Sequence, residues 1–152
     1  MKKVMLLLVA VLGLTFAVNA QNWIGVRGAF GSSYGAELSF QHGFNAHNRL
    51  ELDLGWNRHD TYGYYNLSGV YQWMGGIANN FGWFAGIGAN AGLWDGYNDG
   101  KFGLGFLAQA GLEYNFQAVP IQLTIDFRPQ WDVLGAASGF GYAGAFGIRY
   151  RW

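Results

Sequence analysis

His42, His47 and His59 are the only imidazoles in this 152-residue sequence, and there is no cysteine. Two kinds of chemistry are worth testing on them. A metal centre needs converging ligands held by a supporting shell. A nucleophile–base–acid relay needs its members within hydrogen-bond reach of one another, and Ser32, Ser33, His59 and Asp60 supply the residue types for one. His42 and His47 belong to one turn and His59 to a connection at the opposite end of the strands, so the three do not converge. Serines in such clusters ordinarily serve the turn itself, and a solvated turn histidine is the ordinary case. The stretch Gly139-Phe140-Gly141-Tyr142-Ala143-Gly144 matches the dinucleotide-binding string. That fingerprint requires a strand before it and a helix after it, and here it opens a strand. We expect no catalytic residue, no metal and no cofactor.

A second constellation is more informative. Arg27, Glu37, Arg49, Glu51, Asp53, Glu113, Asp126, Arg128, Arg149 and Arg151 all fall on the polar side of an alternating pattern. Five are basic and five acidic, so their chemistry is mutual ion pairing. The remaining charges beyond the first twenty residues, Arg58, Asp60, Asp95, Asp99, Lys101 and Asp132, fall in or beside connections.

The elements that position these residues begin after a leader. Lys2 and Lys3 precede an apolar run from Val4 to Val18, and Val18-Asn19-Ala20 offers small residues where a signal peptidase reads. The run is too short to span a membrane comfortably and is followed by polar residues. We expect residues 1–20 to be a cleaved secretory signal and residues 21–152 to form one domain. Without the leader, seven basic residues face nine acidic ones, which leaves no electrostatic footprint for nucleic acid.

From Trp23 to Trp152 the hydrophobic period is two, and no segment sustains a helical period. Leu50, Leu52, Leu54 and Trp56 oppose Arg49, Glu51, Asp53 and Asn57; Ile121, Leu123, Ile125 and Phe127 oppose Gln122, Thr124, Asp126 and Arg128. Eight such strands and seven turn-like clusters fit the length. The predicted fold is all-β, an eight-stranded antiparallel up-and-down transmembrane β-barrel.

Three features decide that the apolar face looks outward. An eight-stranded barrel encloses room for little more than its own side chains, and the bulky apolar face does not fit inside. No charge falls mid-strand on that face, where Arg or Lys against lipid costs about 2–4 kcal/mol. The seven tryptophans, Trp23, Trp56, Trp73, Trp83, Trp94, Trp131 and Trp152, all sit near strand ends, as expected of membrane-interface girdles. Trp94 has the wrong parity for the lipid face and is placed at the rim.

Signal sequence, alternation and terminal aromatics together resemble the small outer-membrane barrels of the OmpX and OmpA transmembrane-domain type, across essentially the whole of residues 21–152. Phe146, Ile148, Tyr150 and Trp152 are similar to the closing signal such proteins present to the barrel assembly machinery. The resemblance implies termini in the periplasm, and an outer wall in contact with phospholipid and lipopolysaccharide. The chain departs from surface-adhesion members in its short loops, and no peptidoglycan-binding domain is expected after Trp152. Because some eight-stranded barrels modify lipid A, an enzyme stays open beside a narrow porin-like channel; a soluble lipocalin-like carrier is disfavoured by the outward apolar face. The leading expectation is a non-enzymatic barrel contributing to envelope integrity or surface interaction, alone or within a larger envelope complex. Glu37, Glu51 and Asp53 on the second and third strands should pair across the lumen with Arg128, Arg149, Arg151 and Arg27 on the seventh, eighth and first, plugging it.

Overall fold

The computed structural model describes residues 21–32, 34–59, 62–95, 101–134 and 139–152. The leader, Ser33, Asp60 and Asp99 lie outside them, and so do the side chains of Asn57, Arg58, His59, Tyr62, Tyr64, Trp94, Asp95 and Lys101. Every element among the described residues is a strand: β1 (Asn22–Gly31), β2 (Tyr34–Gly43), β3 (Asn48–His59), β4 (Tyr62–Ala78), β5 (Phe81–Asp95), β6 (Lys101–Asn115), β7 (Ile121–Leu134) and β8 (Gly139–Arg151).

Each strand pairs antiparallel with its sequence neighbours, and β1 returns to β8, so the sheet closes without a free edge. Following paired residues round the wall from Trp23, through Gln41, Glu51, Val70, Gly88, Leu107 and Gln130, leads to Gly141. Trp23 itself pairs with Arg151. Closure therefore staggers the wall by ten residues, from 141 to 151, and such a stagger obliges the strands to tilt about the barrel axis.

One end of the barrel, here called the terminal end, carries both termini and the connections after β2, β4 and β6. The predicted connection over Gly75 to Asn80 is shorter than expected. β4 runs on to Ala78, which pairs with Phe81 across a two-residue turn. Asn79 takes a φ of 37° there, the left-handed conformation that asparagine tolerates better than most residues. Asp132, expected beside a connection, instead lies on β7 opposite Gly139 and Gly105. Pro129 sits within β7 and has no N–H to give. The β6–β7 register accordingly steps from Leu107↔Gln130 to Ala110↔Phe127 without pairing between them.

Alternation sorts the side chains as the period of two requires. Val26, Leu38, Leu54, Leu67, Ile87, Phe106, Ile125 and Phe146 point outward and are exposed, Phe106 at 64%. Arg49, Glu51, Asp53, Gln41, Gln72 and Gln122 point inward and are completely buried. The interior is polar and the exterior apolar, the inverse of a soluble core. An outer surface of this kind belongs in hydrocarbon. The closed ladder satisfies backbone groups within the wall, which a bilayer demands.

Candidate functional site: a polar network in the lumen

The lumen is built around Glu51, near the middle of β3. Its inward parity removes the carboxylate from water, which is costly unless it is paired and fully hydrogen-bonded. Four donors meet it. Arg128 Nη2 (2.8 Å) and Gln109 Nε2 (3.0 Å) donate to Oε1; Gln41 Nε2 (2.5 Å) and Arg149 Nη2 (2.9 Å) donate to Oε2. A carboxylate has about four acceptor sites, so Glu51 is saturated by residues from β2, β6, β7 and β8.

The two arginines extend the network. Arg128 also donates to Asp53 Oδ2 (2.6 Å) and Ser68 Oγ (3.2 Å), and stands 3.7 Å from Glu37. Arg149 donates to Ser39 Oγ through Nε and Nη2 (3.0 and 2.9 Å) and to Thr124 Oγ1 (2.8 Å). Gly147 makes this possible: a Cβ there would come within 2.5 Å of Thr124 Oγ1 and 3.0 Å of Arg149 Nη1.

Arg27 forms a second centre. It is fixed to Asp126 by two parallel bonds, Nε to Oδ2 (3.1 Å) and Nη2 to Oδ1 (2.5 Å), and its Nη1 donates to Glu37 (2.5 Å). The fork matches carboxylate geometry and is the stronger kind of ion pair. Glu37 lies directly opposite Arg27 in the β1–β2 register, so this contact is a cross-strand pair and does not span the lumen.

Toward the terminal end, Arg49 pairs with Glu113 at 2.6 Å, and its Nε donates to Gln72, which donates onward to Gln109. Its guanidinium lies 5.0 Å from the Phe84 ring centroid and 5.9 Å from that of Trp23. Cation–π attraction of this kind is strongest where water is excluded. Gly111 leaves the space for Phe84, since a Cβ there would meet the Phe84 ring at 2.5 Å.

Nine of the ten predicted lumen charges are therefore buried and ion-paired. Arg151 is not among them. It is only half-buried at the terminal mouth and makes no ion pair among the described residues. Trp23, assigned to the membrane interface by its position near a strand end, is a correction. It shares the inward parity of Arg27, is 4% exposed, and packs on Arg49 inside the barrel. Strand-end position fixes height along the axis, whereas parity fixes the face, and parity decides. Trp73, Trp83 and Trp152 at the terminal end, and Trp56 and Trp131 at the other, point outward with 42–60% exposure. The Trp94 side chain lies outside the described residues. Phe146, Ile148 and Tyr150 along β8, and Trp152 just after it, all face outward.

Sequence reasoning does not single out the uncharged members: Gln41, Gln72, Gln109, Gln122, Ser39, Ser68 and Thr124. Their signal is present, because each has inward parity and a side chain that donates or accepts. Asp132 also joins the interior, accepting from Asn90 (2.9 Å) and Gln130 (3.2 Å).

The alternative chemistry is not assembled among the described residues. His42 Nδ1 bonds Asn22 Oδ1 (2.8 Å), His47 is exposed in the β2–β3 turn, and no group of potential metal ligands converges. Ser32 Oγ accepts from the Tyr142 N–H (3.1 Å), a loop-fastening role. Ser33, Asp60 and the His59 side chain lie outside the described residues.

Two cavities bracket the network. One of about 20 Å³ lies beside Arg27, Glu37, Ser68 and Arg128. The other, about 340 Å³, opens at the terminal mouth over Trp23 and Glu113.

No protein-family model and no curated protein matches this sequence. Solved structures do resemble it. Neisserial surface protein A aligns with 13% identity over 88% of this chain and 96% of its own (TM-score 0.64). The N-terminal β-barrel domain of Pseudomonas aeruginosa OprF aligns with 13% identity over 87% and 97% (TM-score 0.64). A major outer membrane protein from Thermus thermophilus aligns with 9% identity over 89% and 100% (TM-score 0.68). With its closed antiparallel wall of eight strands and its polar interior, the chain has the fold of the small outer-membrane β-barrels.

Proposed function

We propose that this protein is an integral barrel of a bacterial outer membrane, with its terminal end in the periplasm and its lumen plugged by the Glu51-centred network. Its work is then done by its surfaces and not by conduction or catalysis: it contributes to envelope integrity or carries a surface contact. The observation that supports this reading most strongly is the saturation of Glu51 by donors from four other strands, which puts a hydrogen-bonded layer across the bore. The outward Leu, Ile, Phe and Trp side chains suit phospholipid and lipopolysaccharide acyl chains, and the β8 aromatics suit recognition by the barrel assembly machinery. Short connections leave the outer wall as the main surface for a partner in a larger envelope complex.

Membrane fractionation with a heat-modifiability gel tests the address, and liposome swelling tests the plug. The expected result is an outer-membrane band that shifts on boiling, with no swelling in small sugars. A soluble, unshifted protein or rapid swelling would overturn the reading. The narrow-channel alternative draws on the two cavities, which lie on either side of the Glu51 layer. Permeation through the intact network would favour it.

A further inference from the structure

The cavity at the terminal mouth has a composition that the plugged barrel does not use. Its lining includes Trp23 and Glu113, with Met74 and Phe116 adding apolar surface. Glu113 is already compensated: Arg49 holds it at 2.6 Å, and Asn115 and Gln122 lie at 3.1 and 3.4 Å as donors. Arg151 differs from every buried arginine of the barrel. Arg27, Arg49, Arg128 and Arg149 each hold a carboxylate, whereas Arg151, which lines the same cavity, holds none among the described residues.

Arg151 and Trp23 are Cα partners across the β1–β8 seam. Residues directly opposite on one face of a sheet are in side-chain reach of each other, so the cation and the indole share one wall. Trp23 Nε1 is buried and without a hydrogen-bond partner, so its N–H resonance reports directly on any change in what packs against the indole. A guanidinium with no carboxylate partner among the described residues, beside apolar and aromatic surface and with Glu113 neutralised by Arg49, selects an anion with an apolar body. The volume of about 340 Å³ sits at the lower end of the range for small-molecule sites, roughly 300–1,000 Å³.

We propose that the terminal mouth is a binding site for a small organic carboxylate, its carboxylate on Arg151 and its apolar body against Trp23, Met74 and Phe116. The site does not depend on whether the lumen conducts, so its test fails or succeeds independently of the plug.

The experiment uses the folded full barrel in lipid nanodiscs, with phenylacetate as probe and the Trp23 indole N–H resonance as readout. The expected result is a saturable shift with a midpoint on the order of millimolar. In Arg151→Gln the midpoint should rise at least about tenfold, and in Arg151→Lys binding should largely return. The neutral analogue 2-phenylethanol separates charge recognition from partition into an apolar crevice. Absence of a saturable shift in the unmodified protein overturns the proposal. So does an equal response to 2-phenylethanol, or an unchanged midpoint in Arg151→Gln.

Discussion

Arg128 on β7 reaches across the lumen to β3, where its Nη2 lies 2.8 Å from Glu51 Oε1 and 2.6 Å from Asp53 Oδ2. One guanidinium thus holds two acidic groups two residues apart, on the inward face that also carries Arg49. With Arg149 on the other oxygen of Glu51, it ties β3 to β7 and β8 through the bore. The hydrogen-bonded wall by itself joins only neighbouring strands.

Glu51→Ala removes four acceptor contacts and leaves Arg128 and Arg149 short of a counter-charge. Truncating one partner of a buried pair typically costs about 3–5 kcal/mol. Urea unfolding of the barrel in lipid vesicles should show a loss of that order. Glu51→Gln keeps the shape and part of the hydrogen bonding and should lose less. Equal stability of Glu51→Ala and the unmodified protein would remove the network from the account.

The Arg27–Asp126 fork lends itself to a double-mutant cycle. Arg27→Ala, Asp126→Ala and the double variant should be markedly non-additive, with a coupling within the range of about 0.5–3 kcal/mol found for contacting residues. Additive losses measured by the same unfolding assay would mean that the fork contributes nothing specific.

Gly147 leaves room for Arg149, so Gly147→Val should push the guanidinium off Ser39 and Thr124. The expected effect is a destabilisation comparable with that of Arg149→Ala. Gly28, on the neighbouring strand β1, has open space where a Cβ would project, with no atom within 4 Å. Gly28→Ala should leave the unfolding midpoint nearly unchanged. The comparison separates a packing requirement from a general intolerance of the barrel to lost glycine.

Trp23 and Trp56 make opposite predictions for fluorescence. In single-tryptophan variants reconstituted in vesicles, brominated acyl chains should quench Trp56, which is 60% exposed on the outer wall, and spare Trp23, which is 4% exposed inside it. Strong quenching at Trp23 would return it to the membrane interface. On the same outer wall, Ile87→Arg should cost about 2–4 kcal/mol if this position lies near the bilayer midplane.

Much of this architecture is legible in the sequence because a period of two is a direct imprint of the sheet. Arg49, Glu51 and Asp53 alternating with Leu50, Leu52 and Leu54 already state which way each points. What alternation does not carry is the pairing. Arg27 meets Glu37 through the β1–β2 register, but it finds Asp126, two strands away, only through the ten-residue stagger that closure sets. Trp23 reads as an interface residue when its position near a strand end is given more weight than its parity. The glutamines carry little signal because an uncharged side chain looks incidental until the carboxylate it satisfies is in place, as Gln41 and Gln109 show at Glu51. Asp132 reads as a loop residue because β7 runs on past Trp131.

Single-channel recording in planar bilayers tests the closed lumen most directly. The unmodified barrel should give no steady conductance steps, whereas the Glu51→Ala/Arg128→Ala double variant, if it folds, should give small, flickering ones. Steady, large steps from the unmodified protein would contradict a bore closed by the Glu51 network.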